Sequence, residues 1–324
     1  MIMWKKRILH EDFILKVLRS FFHDKTIYTN EYVNLSNQEA NDYIRNQINV
    51  VDCLMISKFG TYELENVCNL ISLEKGFSFR DYLLAIRGLK NINVQRSLDY
   101  LCSNAGFFPN DIALAIEWKN LVLKDLSEID ILGSYIKLES YLKEETAHCL
   151  RVNLNGYYAP FLWKNPWTVS LKGRKVLVIH PFEDSIRYQY ECNRKKLFDD
   201  PNVLPEFESL QTIRAVQSIA HNNTNFTTWF DALYHMEAEI DKRDFDIALI
   251  GCGAYGMHLA AYVKRKGKIA VHLAGWLQML FGIYGNRWIH DQPGFSQFIN
   301  EYWIRPNEME KPRNLETIEN ACYW

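Results

Sequence analysis

Residues 244–275, DFDIALIGCGAYGMHLAAYVKRKGKIAVHLAG, carry the clearest architectural signal in the chain. One apolar run ends at Gly251, a second spans 268–275, and the residues between them have helical periodicity. Short runs that are apolar on both faces are typical of parallel strands, which need a crossover helix between them. The pattern predicts a strand–turn–helix–strand unit whose turn contains Gly251, Gly253 and Gly256.

The alternation of strand and helix continues outside this unit. Further strands are predicted at 51–60, 175–180 and 210–216, and further helices at 61–72, 184–198 and 226–242. This pattern is typical of an α/β protein, so we predict a Rossmann-like fold with a mostly parallel, doubly wound sheet. We expect a helical N-terminal region (1–50), a catalytic domain (51–290) with a helical insertion at about 78–150, and a C-terminal extension (291–324).

The composition favours a globular protein without a basic surface field. Hydrophobic residues make up 48% of the 324 residues, charged residues make up 23%, and the formal net charge is −2. Because nucleic-acid binding draws on a positive field, this balance argues against a nucleic-acid partner. The seven cysteines are scattered without a C-x-x-C pair, which argues against a structural zinc site and a disulfide scaffold.

Membrane-spanning segments are not predicted. No run of about 18 apolar residues occurs, and His-Glu-Asp at 10–12 interrupts the apolar start of the chain, so we expect neither a span nor a secretory signal. A cytoplasmic protein is the expectation. Ile14, Val17, Leu18 and Phe21 form an apolar stripe at helical spacing, which favours packing into the core and leaves peripheral membrane contact as the alternative.

The spacing G-x-G-x-x-G at 251–256 is that of a dinucleotide-binding turn. Glycines let backbone amides approach a phosphate at the positive end of the next helix, which begins near Tyr255. An NAD enzyme also needs an acidic residue at the end of the next strand to hold the ribose. Here that strand ends at Gly275, the next acid is Asp291, and no arginine suited to NADP precedes Arg287. A Rossmann oxidoreductase and a purely packing role for the glycines remain alternatives to another nucleotide site.

Four polar side chains are candidates for ligand contact near this turn. His180 ends the strand 175–180, Arg187 lies near the start of the following helix, and Gln278 and Arg287 follow the last strand. An arginine fork suits a phosphate group, and aromatic or amide groups suit a base or a sugar. The structural alternative is a surface ion pair for each arginine and a buried core position for Gln278 and His180.

Two segments together resemble a family of bacterial glycosyltransferases. SKFGTYEL (57–64) is similar to the F-G-D-G-E turn of GT-D-type glycosyltransferases, and 245–275 resembles their glycine turn, helix and following strand. Between them, LKGRKVLVIHPF (171–182) and LPEFESLQTIRAV (204–216) resemble segments of relatives found among polysaccharide-assembly proteins. The resemblance covers roughly residues 50–290.

The resemblance implies transfer of a sugar from a nucleotide-sugar donor, UDP-linked, to a glycan or glycolipid acceptor in polysaccharide or glycoconjugate assembly. In that family the D-x-E of the first turn is tied to the donor diphosphate and to a divalent metal, Mn²⁺ or Mg²⁺. In this chain Glu63 matches the acidic end, Thr61 replaces the aspartate and Lys58 stands where arginine is usual. A threonine hydroxyl is a weaker ligand for a hard cation than a carboxylate.

The expected site draws on both ends of this resemblance. Glu63 is the expected catalytic residue and the candidate metal ligand, and a first-turn carboxylate stabilised by the helix dipole is the structural alternative. The expected donor-binding residues are Lys58, Gly60, Thr61, His180, Arg187, Gly251, Gly253, Tyr255, Gly256, Gly275, Gln278 and Arg287. The hypothesis requires the glycine turn and Glu63 to share one cleft, although they are nearly 200 positions apart in the chain.

Overall fold

A computed structural model describes residues 14, 15, 17–28, 33–317 and 321–324, so residues 1–13 of the predicted N-terminal region lie outside the described residues. One sheet contains β1 (Leu54–Lys58), β2 (Ile131–Gly133), β3 (Leu150–Val152), β4 (Lys175–His180), β5 (Ser209–Arg214), β6 (Ile247–Ile250) and β7 (Ile269–His272). Its strands are ordered β3-β2-β1-β7-β6-β4-β5, and every pair is parallel. The predicted Rossmann-like α/β fold is confirmed.

Helices cover both faces of the sheet. They are α1 (Asn37–Val50), α2 (Thr61–Lys75), α3 (Phe79–Ile86), α4 (Val94–Tyr100), α5 (Ile112–Asp125), α6 (Leu154–Tyr158), α7 (Glu183–Tyr188), α8 (Trp229–Asp241), α9 (Gly256–Arg265) and α10 (Leu277–Leu280). Alternate strand residues point to opposite faces, so Met55 packs in the core with α2, α5, α8 and α9. Its neighbours Leu54 and Ile56 pack in the other core, with α1 and the C-terminal region.

The segment 78–150 differs from the predicted helical insertion. It contains α3, α4 and α5, but also strand β2, whose Ile131 pairs with Ile56 of β1. Strand β3 begins at the end of the segment. A strand of three residues is too short to show a period-two pattern, which explains why the segment is predicted to be mostly helical.

The apolar stripe near the N-terminus does not pack as predicted. Ile14, Val17 and Phe21 are exposed, so the core-packing interpretation is wrong for these three, whereas Leu18 is half-buried. Among the described residues, no helix combines the length and the apolar character needed to cross a bilayer.

The end of the C-terminal extension is part of the folded body. Trp324 is buried, and its backbone carbonyl accepts a hydrogen bond from Nη1 of Arg305 at 2.6 Å. The Tyr323 ring lies against Gly275, where an added Cβ would be 2.1 Å from Cε1 of Tyr323. The last residues therefore reach the carboxyl edge of the sheet, which is where open α/β sheets bind ligands.

Candidate functional site

A row of three clefts follows the carboxyl edge of the sheet. The first, the glycine cleft, has a cavity volume of about 100 Å³ and lies over the ends of β4 and β6. It is lined by Asn104, Ala105, Gly106, His180, Pro181, Phe182, Val216, Gln217, Ser218, Ile219, Gly251, Cys252, Gly253, Tyr255, Gly275, Gln278, Tyr323 and Trp324. Six of the predicted donor-site residues are therefore brought together here.

The second, the Glu63 cleft, is narrow, with a cavity volume of about 20 Å³, and lies over the ends of β1 and β7. It is lined by Lys58, Phe59, Gly60, Glu63, Val67, Trp118, Val122, Gly253, Ala254, Met257, His258 and His272. Gly253 lines both this cleft and the glycine cleft. The glycine turn and Glu63 thus meet in one cleft, as the sequence hypothesis requires.

The third, the tyrosine cleft, has a cavity volume of about 560 Å³ and lies on the β2 side of β1. It is lined by Tyr28, Thr61, Tyr135, Leu154, Asn155, Tyr158, Trp276, Arg287 and Gln292. Of the predicted site residues, Thr61 and Arg287 lie here. The Thr61 Oγ1 atom is 3.4 Å from the Tyr135 hydroxyl. That hydroxyl donates a hydrogen bond to the Phe59 carbonyl oxygen at 3.1 Å.

Close packing demands glycine throughout the turn after β6. Gly253 has a left-handed backbone with φ of 57°, and a Cβ there would also lie 2.7 Å from the Ala105 carbonyl oxygen. A Cβ at Gly251 would be 2.4 Å from the Ala274 carbonyl oxygen, and one at Gly256 would be 2.2 Å from Nε2 of His272. Packing alone thus accounts for Gly251 and Gly256.

The turn nevertheless contains two residues, Cys252 and Gly253, that line the glycine cleft and have backbone amides available as donors. The Gly251 amide is not one of them, because it donates to the Ile179 carbonyl at 2.9 Å. Within the described part of the chain, the amides of Cys252 and Gly253 meet no backbone acceptor. These two amides precede α9, so the positive end of that helix reinforces their preference for an anion.

The Glu63 carboxylate is positioned by the turn after β1. Glu63 lies in the first turn of α2, for which Gly60 is the N-cap residue. Its side chain folds back over Gly60 so closely that a Cβ there would be 1.8 Å from Oε2. Glycine at position 60 is therefore what gives the carboxylate its place in the cleft.

Lys58 places a buried, positively charged side chain in the lining of the Glu63 cleft. It is the last residue of β1, and only 9% of it is exposed. Its ammonium lies 5.4 Å from the ring centroid of Tyr135 and 6.0 Å from that of Tyr158. Burial raises the pKa of Tyr158, and the Lys58 charge opposes that shift. Aromatic faces stabilise a desolvated cation, so the two rings suit the position of the Lys58 side chain beside the Glu63 cleft.

Two histidines line the Glu63 cleft, and sequence reasoning missed both. Burial, followed by the nearby Lys58 charge, lowers the pKa of His272 to about 3, so this ring is neutral at physiological pH. Its Nδ1 lies 3.0 Å from the Ser57 hydroxyl. His258 in α9 has Nδ1 at 2.7 Å from the buried carboxylate of Asp125, which also accepts from Arg265 at 2.7 Å. Residues 125 and 258 lie on different helices, and no local motif links them.

Several predicted residues are engaged in the protein itself. Nε2 of Gln278 donates to the Tyr323 carbonyl at 3.0 Å, while its Oε1 is buried without a described partner. Nδ1 of His180 accepts from the Phe182 amide at 3.0 Å, and burial lowers the pKa of His180 to about 3. The Tyr255 ring stacks on Trp229 with centroids 5.0 Å apart.

Of the two predicted arginines, only Arg287 lines one of the three clefts. Arg287 donates to the Tyr323 hydroxyl at 3.1 Å, and its guanidinium lies over the Tyr323 ring. Arg187 lines none of the three clefts. It donates to Glu183 and Thr212 at 3.2 and 2.9 Å, which matches the surface ion pair given above as the structural alternative.

The donor set of the Glu63 cleft does not fit a hard divalent cation. Glu63 is the one carboxylate among the described lining residues, and Lys58 adds a positive charge beside it. Mg²⁺ and Mn²⁺ favour several oxygen ligands, and a neighbouring ammonium repels them. Within the described residues, no three histidine, cysteine, aspartate or glutamate side chains are grouped as metal ligands.

Comparisons with models of known protein families, with curated proteins and with solved structures found no match to this chain.

Proposed function

We propose that the chain is a glycosyltransferase that moves a sugar from a nucleotide-sugar donor, UDP-linked, to a polysaccharide or glycoconjugate acceptor. The observation that carries the proposal is that Glu63 and Gly253 line one cleft at the carboxyl edge of the sheet. Free backbone amides and a buried ammonium on one side of that cleft suit a diphosphate, and a carboxylate suits a hydroxyl group. The proposed setting is polysaccharide or glycoconjugate assembly. If the acceptor is a glycolipid, the proposal includes peripheral contact of the protein with a membrane.

In this proposal the donor extends from the glycine cleft into the Glu63 cleft. The nucleoside occupies the glycine cleft, whose lining offers aromatic rings and the buried Gln278 amide. The diphosphate lies against the Cys252 and Gly253 amides with Lys58 on its other side. Preorganised donors of this kind typically supply about 10²–10³ in rate when they stabilise a developing charge. Lys58 would supply the positive charge that a metal supplies elsewhere.

The proposed chemistry uses Glu63 as the base. The acceptor oxygen forms a bond to the anomeric carbon, the bond from that carbon to the diphosphate oxygen breaks, and Glu63 takes the hydroxyl proton. The nucleoside diphosphate leaves with the electron pair of the broken bond. A buried site that excludes water strengthens each of these electrostatic contributions.

The glycine cleft favours a UDP-linked donor over NAD(P). None of the described residues that line it is acidic, so a ribose anchor of the dinucleotide kind is missing there. At the end of β7, where that anchor belongs, the chain has the buried His272 instead. A non-catalytic nucleotide-binding module uses the same cleft without turnover, and the experiment below distinguishes it.

Thermal shift with a panel of nucleotides tests the proposal. The panel contains UDP, several UDP-sugars, NAD and NADP, each with and without Mn²⁺. A ligand present at about 100 times its dissociation constant stabilises the fold by about 2.7 kcal/mol, which is easily measured. We expect a shift with UDP and a UDP-sugar. A shift with NAD alone would support the oxidoreductase, and UDP binding without release of UDP from any UDP-sugar would support the non-catalytic module.

Replacing Gly60 by alanine is expected to disable catalysis without unfolding the protein. The new methyl group would occupy the place of the Glu63 carboxylate, which is the flexible end of a side chain and can swing away. A displacement of about 1 Å can cost roughly 10²-fold in rate. The measurement is UDP release from the best-binding UDP-sugar. Gly294→Ala is the control, because nothing lies within 4 Å of a Cβ there. Full activity of Gly60→Ala would contradict the assigned position of Glu63.

Replacing Lys58 by methionine is expected to weaken UDP binding roughly ten- to hundredfold, since a hydrogen bond to a charged group contributes about 1.5–3 kcal/mol. Calorimetric titration with UDP measures the effect, and the exposed Lys172→Met is the control.

Because Lys58 takes the place of a metal, EDTA should leave UDP affinity unchanged. Loss of binding in EDTA with recovery in Mn²⁺ would contradict this assignment.

A further inference from the structure

Two aromatic stacks wall the tyrosine cleft. The Tyr28 and Tyr135 rings are stacked with centroids 6.0 Å apart and planes 7° apart. The Tyr158 and Trp276 rings are stacked with centroids 5.3 Å apart and planes 22° apart. These four residues come from four separate parts of the chain, so the walls are a product of the fold.

The aromatic walls are held rigidly. The Trp276 ring meets the Phe295 and Trp288 rings edge-on, with ring centroids 4.7 Å and 5.8 Å apart, respectively. The hydroxyl of Tyr135 is held by the Phe59 carbonyl. Tyr28 differs from the others, because it is 64% exposed and its partner Tyr135 covers one face only. Tyr158 and Trp276 are buried and Tyr135 is half-buried, so Tyr28 and Tyr135 present the accessible ring surface of the cleft. An aromatic ring binds a ligand with little loss of side-chain entropy.

Polar groups stand around these rings. Asn155 and Gln292 line the same cleft and are both exposed. Within the described part of the chain, the side-chain amides of these two residues make no hydrogen bond to the protein. An amide group presents a donor and an acceptor together, which matches a pair of neighbouring hydroxyl groups.

The cleft also opens towards the proposed reaction centre. Lys58 lines the Glu63 cleft, yet its ammonium lies within about 6 Å of one ring from each aromatic stack. Thr61 lines the tyrosine cleft and is two residues from Glu63 in α2. A ligand in the tyrosine cleft would therefore lie on the opposite side of Lys58 and Glu63 from Gly253.

We infer that the tyrosine cleft is a saccharide-binding site. A sugar ring has an apolar face of C–H groups that packs on an aromatic ring, and an edge of hydroxyl groups that pairs with amides. A lipid chain would leave the Asn155 and Gln292 amides without partners, and the cavity volume of about 560 Å³ accommodates more than one sugar ring. Its role as the acceptor subsite rests on the proposed glycosyl transfer, whereas saccharide binding does not.

Binding of the full chain to an array of immobilised oligosaccharides of varied sugar composition tests the inference. We expect the native protein to be retained by a subset of these saccharides. Tyr28→Ala and Asn155→Ala should each weaken that retention about tenfold, as expected for loss of one ring contact or of two hydrogen bonds. Both residues are exposed, so neither change should lower the melting temperature.

Tyr234→Ala is the matched control. Tyr234 is an equally exposed tyrosine of α8 that lines none of the three clefts, and retention by the array should be unchanged. Retention by no saccharide, or equal retention of native protein and Tyr28→Ala, would overturn the inference. The thermal shift with UDP reports on binding in the glycine cleft and the Glu63 cleft, and not on binding in the tyrosine cleft. A UDP shift without saccharide retention would overturn this inference alone, and the reverse result would overturn the proposed donor.

Discussion

Glu63→Gln is expected to lower sugar transfer by about 10²–10⁴, which is the usual contribution of a positioned general base. Glutamine keeps the shape of the side chain over Gly60 but cannot take a proton. The fold should change little, since a first-turn carboxylate contributes at most about 1 kcal/mol through the helix dipole. Release of UDP from the best-binding UDP-sugar measures activity, and a melting curve measures stability.

Glu144→Gln is the control for the Glu63 substitution. Glu144 is an exposed carboxylate that lines none of the three clefts, so its loss should leave activity unchanged. UDP affinity should be nearly the same in native protein and Glu63→Gln, because the proposed diphosphate contacts are elsewhere. Equal turnover by the two proteins would remove Glu63 from the mechanism.

Lys90→Met is expected to produce the largest loss of stability. The Lys90 ammonium is buried and donates hydrogen bonds to Asp81 Oδ1 and to the Ser72 hydroxyl. It also donates to the Cys68 carbonyl oxygen, at a distance of 3.1 Å. Burial acts to raise the pKa of Asp81, but the hydrogen bonds from Lys90 and Ser78 outweigh it and hold that pKa below its usual range. Removing Lys90 leaves a buried carboxylate without its counter-charge, which typically costs about 3–5 kcal/mol.

Thermal unfolding measures this loss, and we expect the melting temperature to fall by about 10 °C. Lys143→Met, which changes an exposed lysine, should melt like the native protein. Adding Asp81→Asn to Lys90→Met should recover part of the stability, because the unpaired charge is then removed. A Lys90→Met protein that melts at the native temperature would show that the buried pair contributes nothing.

The central part of the fold could be predicted because its signals are local. The glycine turn after β6, the helix α9 and strand β7 follow one another within 30 residues, and each has a pattern of its own. The turn from β1 into α2 is equally compact. Once both turns are assigned to parallel strands, their meeting at one edge of the sheet follows from topology. The shared cleft of Glu63 and Gly253 was predictable for that reason.

The rest of the site depends on contacts between distant parts of the chain. The His258–Asp125 pair joins residues 133 positions apart, and β2 is too short to show a strand pattern. The aromatic walls of the tyrosine cleft, and the docking of Tyr323 on Gly275, likewise carry no local signal. The position of Arg187 near a helix start does not distinguish a ligand contact from a surface ion pair, and in the structure this arginine pairs with Glu183.

A crystal structure of the protein with bound UDP tests the central claim most directly. The account predicts diphosphate oxygens within hydrogen-bonding distance of the Cys252 or Gly253 amide and of the Lys58 ammonium, with the uridine in the glycine cleft. The free end of the diphosphate should point towards Glu63. UDP bound away from Gly253, or with its diphosphate turned away from the Glu63 cleft, would contradict the account.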